Sequence, residues 1–335
     1  MSKVSWIRRA GVALAAAALS ATGVTVISTA ASGTVFTTTI NCPPQTGNDL
    51  QNDINVAPNG STIHISGTCS NPDFSIPANK RLTLAGAPAE LYATSTAPVL
   101  TVDSGANVTL TNLTFEHLAA GGGGGIFNDG GTVLLSGSTV TMNSAGHGGG
   151  IYNNNGRMTV TGSNITNNQV VNGGAGAGIF NYGGFFTMSS SNVTGNTGGT
   201  GSAGGGIYTV GVTITISNSS ICNNSTGSGG AGGAMYIDTG TVNFKASKMC
   251  NNTGSTANGG AVYDDHGTLN MTSASMSGNT ASNDGGGVFN AGGTVNLTTS
   301  SIAGNTAGVD GGGVFGTVSQ QSNSAVSGNA PDDIS

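Results

Sequence analysis

The residues able to do chemistry in this chain are few, and most converge on one stretch. Asp238 and Asp265 each stand three residues after a Gly-Ala-aliphatic triplet, Gly233-Ala234-Met235 and Gly260-Ala261-Val262. Asp264 and His266 flank Asp265. Carboxylates held at a fixed separation work as acid and base in glycoside hydrolysis, and carboxylates gathered on one surface can take a calcium ion. Asp238, Asp264, Asp265 and His266 are therefore the candidate catalytic or cation-binding set. The plainer reading is that Asp is common at strand ends and turns. Asp284 and Asp310 form a second acidic pair, which reads as a weak cation site or as two solvated loop carboxylates. Arg157 is the only Arg after Arg81 and reads as a solvated side chain rather than a lyase base. The glycine runs carry no Gly-Lys-Ser/Thr and do not spell the Gly-Gly-x-Gly-x-Asp calcium repeat, so no phosphate loop and no calcium-bound nonapeptide fold is expected. Calcium aside, no cofactor is implied.

What must position these residues is a repeat. The aliphatic that ends each glycine run is Ile126, Ile151, Ile179, Ile207, Met235, Val262, Val288 and Val314, at steps of 25, 28, 28, 28, 27, 26 and 26 residues. With that residue counted as zero, positions +7, +9 and +14 are apolar in seven successive units. Position +17 is Asn143, Asn168, Asn196, Asn224, Asn252, Asn279 and Asn305, and a shortened eighth unit closes on Asn329. All length variation falls between the Asn and the next glycines. A period of this size marks a solenoid, and the alternation of +7 and +9 with Thr, Ser or Asn is strand periodicity. The prediction is all-β: a single-stranded right-handed parallel β-helix, one unit per coil. The Asn is expected to form a ladder, because a stacked amide donates and accepts at once and can satisfy a buried corner.

The pair of motifs, Gly-Gly-Ala/Gly-Ile/Val and aliphatic-x-x-Asn, resembles the repeat of polymorphic outer membrane proteins. More broadly it resembles the right-handed β-helix repeats of the pectate-lyase-like superfamily. The resemblance spans about 120–329 closely and 60–118 loosely. It implies the fold and not an activity. Gly146-His147-Gly148 resembles one short polygalacturonase motif, but the companion Asn-Thr-Asp and Arg-Ile-Lys motifs are absent. The tripeptide is read as a loop coincidence.

The remaining chain divides around the repeats. Residues 1–31 read as a secretory signal, with Lys3, Arg8 and Arg9 before an Ala-rich run and small residues at Ser28-Thr29-Ala30-Ala31. A bacterial export signal and a cleaved, secreted or cell-surface product are expected, with no later membrane span. Residues 32–60 read as an N-terminal cap whose helix, 48–57, is capped by Asn48 and buries Leu50, Ile54 and Ala57 against the first coil. Residues 61–118 read as irregular coils, with strands at Thr62–Ile65, Arg81–Leu84, Val99–Val102 and Val108–Leu110. Residues 119–329 are the regular repeats, and 330–335 is a tail whose Pro331, Asp332 and Asp333 discourage edge pairing. Cys222 and Cys250 share position +15 of successive coils, so the fold makes them neighbours. Cys42 and Cys69 flank the cap helix, and two disulfides are expected in an exported chain.

Two outward stripes are the places for a partner. Position +1 is aromatic throughout: Phe127, Tyr152, Phe180, Tyr208, Tyr236, Tyr263, Phe289 and Phe315. It reads as an aromatic ladder packed under the variable loops, with an exposed sugar-stacking stripe and an inverted register as the alternatives. Positions +6, +8 and +10 are rich in Thr and Asn. Flat Thr arrays resemble those of ice-binding solenoids, but Arg157, Phe185 and Lys245 interrupt this one, and Thr is simply a polar strand former. The 335 residues include 59 Gly, only 7% are charged, and the net charge is −6. Nucleic acid and anionic membranes are thereby disfavoured. The expected function is a secreted or cell-surface structural, adhesin-like or glycan-binding solenoid, with polysaccharide or cell-surface glycan as partner. The alternative is a polysaccharide lyase or glycoside hydrolase using the acids at 238–266.

Overall fold

Each repeat closes on itself because its aliphatic positions all point to one axis. In the computed structural model, residues 37–42, 48–71, 73–117, 124–255 and 258–335 are described. The expected signal segment, the residues up to 36 and the 118–123 junction lie outside that set. The chain winds into about 11 right-handed turns of a parallel β-solenoid. Among the described residues the strands pair in parallel, apart from isolated antiparallel bridges such as Asp129 with Asn155, and the register follows the repeat: Ile126, Ile151, Ile179, Ile207, Met235, Val262, Val288 and Val314 pair in one continuous line. The zero, +7, +9 and +14 columns fill the interior of the regular coils and are almost wholly buried. A coil thus contributes four buried apolar side chains, each stabilising by about 1.5–3 kcal/mol relative to exposure. No coil could bury them without its neighbours.

Two polar corners hold the three faces together. At the first, a residue with positive φ, such as Asn218 or Ala246, precedes a buried serine at +12. The Ser191 hydroxyl donates to the Ser189 carbonyl at 2.7 Å and accepts the Ser163 N–H at 3.1 Å from the coil before. At the second corner, another positive-φ residue, such as Asn223 or Asn251, precedes the Asn at +17. Asn224 Oδ1 accepts both the backbone N–H and the Nδ2 of Asn196, and Asn224 Nδ2 donates to Asn252 Oδ1 and to the Val193 carbonyl. The same bonds run from Asn143 through Asn168, Asn196, Asn224, Asn252, Asn279 and Asn305 to Asn329.

The ends differ from the sequence expectation in detail. Helix α1, Asn48–Val56, covers the first coil with Leu50 and Ile54 fully buried. The Asn48 side chain is outside the described set. Ahead of α1, strand Thr37–Cys42 pairs with Ser61–Asn71, so the cap region also contributes a strand. The early strands are longer than predicted: Ser61–Asn71, Arg81–Ala93 and Asn107–Glu116 each run through a corner. One strand therefore serves two faces, as Asn107–Glu116 does in pairing with both Thr132–Ser136 and Thr139–Thr141. A further short strand, Phe74–Ile76, lies between them. Both expected disulfides are present, Cys42–Cys69 and Cys222–Cys250, with Cα atoms 5.0 and 4.5 Å apart. The tail does more than stop the sheet. Asp333 Oδ1 accepts both the backbone N–H and the Nδ2 of Asn329, so a carboxylate takes the place of the next Asn and ends the ladder without an orphaned donor.

Candidate functional site

The zero column points inward, so strand alternation turns +1 outward, and the aromatic residues there stack from coil to coil. Adjacent ring centroids lie 4.8–5.3 Å apart along all eight residues from Phe127 to Phe315. Phe180 is buried and the other seven are partly exposed. The inverted register is excluded. The column is a ladder, part covered and part open.

The ladder has two halves with different surfaces. Tyr208, Tyr236, Tyr263, Phe289 and Phe315 are stacked, with interplanar angles of 2°, 6°, 24° and 4°. Their faces are occupied by one another, so edges and Tyr hydroxyls reach outward. Phe127, Tyr152 and Phe180 are tilted by 45° at each step, which leaves part of their faces open. The halves meet at Phe180 and Tyr208, which are edge-to-face at 68°. Burial raises the ionisation of all four tyrosines, most for Tyr208 and Tyr236, and the Tyr208 hydroxyl is pushed up to about 12 by burial and by Asp238. These hydroxyls are neutral hydrogen-bond donors across the physiological range.

At the junction the surface deepens into a groove of about 330 Å³. It is lined by Phe180 and Tyr208 at +1, by Tyr182, Val210 and Asp238 at +3, and by the small residues Gly173, Gly174, Ala175, Gly201 and Ala203 together with His147, which ends the strand Ser144–His147 that pairs with Gln169–Ala175. His147 comes from the tripeptide read as coincidental. It packs against Phe180 at 5.3 Å, and its Nδ1 accepts the Ala175 N–H at 3.1 Å. The Tyr208 hydroxyl donates to Asp238 Oδ2 at 3.4 Å. A second depression, of about 560 Å³, lies along the Ser219–Ser247 corner and is lined by Ser, Asn, Ala and Lys248. It holds no paired acid and base, so the aromatic groove is the better candidate despite its smaller volume.

The acidic set is divided by the strand it sits on. Asp238 and Asp265 occupy +3 of neighbouring coils and are partly exposed. Asp265 Oδ1 and His266 Nδ1 are 3.2 Å apart at the surface. Asp264, at +2, points into the core with 0% exposure. Its Oδ1 accepts the Gly267 N–H at 2.8 Å, its Oδ2 has no partner, and burial lifts its carboxyl to about 6. Position +2 is in fact a second inward polar column that the sequence reading did not single out. In it Asn128 Nδ2 donates to Asn153 Oδ1, and Asn153 Nδ2 to Asn181 Oδ1, both at 2.7 Å. The repeated Ile-Phe-Asn, Ile-Tyr-Asn and Ile-Phe-Asn at 126–128, 151–153 and 179–181 was the available signal.

The remaining candidates are surface features. Arg157 lies over the ring of Phe185, 4.7 Å from its centroid, and Phe185 is 60% exposed. On the same face Asn243, Asn270 and Asn296 form an external amide ladder. Asp284 and Asp310 sit on successive loops, Asp310 exposed and Asp284 partly covered. Among the described residues, no group of three or more His, Cys, Asp or Glu side chains is placed to hold a metal ion, and no helix is long and apolar enough to cross a membrane. The two disulfides point to an oxidising or extracellular environment. Comparison with protein-family models, curated proteins and solved structures gives no match.

Proposed function

We propose that the chain is an exported or cell-surface solenoid that binds extended glycans along its aromatic column. The observation that carries this reading is the eight-ring ladder with a walled groove at its midpoint. Open ring faces at Phe127 and Tyr152 offer apolar surface to the C–H faces of sugars, and the Tyr hydroxyls and Asp238 offer hydrogen bonds beside it. The small residues Gly173, Gly174, Ala175, Gly201 and Ala203 leave room in the groove beside Phe180 and Tyr208. The disulfides and the resemblance of the repeats to those of polymorphic outer membrane proteins favour an extracellular, adhesin-like setting over an intracellular one. Residues 1–31 would supply the export signal.

The alternative, a polysaccharide lyase or glycoside hydrolase, draws on one specific arrangement. Asp238 and Asp265 are the acids that share an accessible surface, while Asp264 is turned away from any substrate. A glycan-array screen run beside an assay for soluble oligosaccharide release separates the two. Binding without product release supports the proposal. Product release that disappears in Asp265→Asn would overturn it in favour of an enzyme.

A further inference from the structure

The groove at the ladder junction sets a carboxylate beside rings that are not stacked face to face. Phe180, Tyr182 and Tyr208 approach it from three directions, with centroids of Phe180 6.1 Å from Tyr182 and 5.3 Å from Tyr208. Their planes are tilted by 40° and 68°, so the rings enclose space instead of stacking it shut. Asp238 lines the groove beside the Tyr208 hydroxyl, and no Lys or Arg is among the described residues that line it. The Tyr208 hydroxyl holds one carboxylate oxygen of Asp238, and the second is available to a ligand. His147, also lining the groove, accepts the Ala175 N–H through Nδ1. An open aromatic face, as at the half-exposed Tyr182, attracts a cation within about 6 Å, and a carboxylate beside it adds a charge-assisted hydrogen bond.

We infer that this groove selects a protonated amine carried on the glycan, as in a deacetylated hexosamine. The inference rests on the glycan-binding reading and narrows it to one substrate class. A groove of about 330 Å³ leaves room for a hexosamine ring, with its ammonium placed between Asp238 and the exposed Tyr182. Acetylation removes the charge that both the rings and the carboxylate recognise. The neighbouring Tyr152 and Tyr236 then carry the flanking sugars of the chain.

The test is calorimetric titration of the full chain with three probes: a β-1,4-linked glucosamine oligomer, its N-acetylated counterpart, and choline. The glucosamine oligomer is expected to bind about tenfold or more tightly than the acetylated one. Asp238→Asn should remove most of that preference, and Tyr182→Ala should weaken glucosamine binding about threefold or more. Tyr182 is 47% exposed, so its truncation does not open the core. Asp73→Asn, an exposed carboxylate in an early coil, should change nothing. Equal affinity for the two oligomers, or an equal loss for both in Asp238→Asn, overturns the amine preference and leaves the glycan reading standing. Choline binding that depends on Asp238, with no binding of either oligomer, upholds the amine site and overturns the glycan reading. No binding of any probe overturns both.

Discussion

Asp264→Asn should stabilise this protein at neutral pH and leave it unchanged in acid. The carboxyl occupies the inward +2 column, where other coils place Asn128, Asn153, Asn181 and Asn290. One oxygen is bonded to the Gly267 N–H, and the other is buried without a partner against Gly293. Burial, the largest cause, raises its ionisation from 3.8 to about 6. A carboxyl raised on folding holds a proton that the unfolded chain releases. Its ionisation penalty is therefore absent below about pH 4, grows as pH rises through the window from about 4 to 6, and is complete above it. Two units correspond to about 3 kcal/mol, an upper bound for the gain on substitution at pH 7.5. Asn keeps the acceptor for Gly267 and exchanges the orphaned oxygen for an amide that the column already accommodates. Urea denaturation of both proteins at pH 4 and pH 7.5 measures the difference, using the transition that reports coils near 264, since a solenoid need not unfold as one unit. A variant less stable than the parent at pH 7.5, or a difference independent of pH, would refute the reasoning.

Three further substitutions probe the scaffold. Asn224→Ala removes donors to Val193, Cys222 and Asn252 and strands the N–H of Asn196, so it should cost about 3 kcal/mol or more by chemical denaturation. Gly232 and Gly229 both have positive φ, but a Cβ at Gly232 would run into the Met235 carbonyl while one at Gly229 meets open space. Gly229→Ala should therefore cost about 1 kcal/mol and Gly232→Ala several times that, read as loss of soluble, cooperatively melting protein. Replacing Cys222 and Cys250 together by Ser opens a cross-link spanning 28 residues and should cost about 3 kcal/mol. Labelling of the parent under denaturing, non-reducing conditions should find no free thiol.

Much of the scaffold was legible because its constraints recur at fixed offsets. The Asn at +17 repeats without exception, since each member needs the one above and below, and a substitution would orphan two coils at once. The +2 column was harder to see. Its members change from Asn181 to Thr209 and Ile237 and then to Asp264, as inward space there admits more than one solution. The serine corner was likewise interrupted, by Ala274. Asp264 was grouped with Asp265 and His266 by adjacency, although the same alternation that turns +1 outward sends +2 inward. His147 ends a short strand, Ser144–His147, in the segment between corner Asn and glycine run whose length varies from coil to coil, so sequence spacing did not place it. The tail read as a stop because Pro331 and two acids oppose strand pairing. Only the coil closure reveals that Asp333 lies under Asn329.

The central claim is that the outward aromatic column binds glycan. Its most direct measurement is retention of the full chain on immobilised hexosamine polymer, compared with Tyr152→Ala and Tyr236→Ala. Both rings are half-buried on the outside, so core columns are untouched and folding can be checked by circular dichroism. Retention of the parent protein is expected, with a loss of about two- to tenfold in affinity for each folded variant. Parent protein that flows through, or folded variants retained as tightly as the parent, would contradict it.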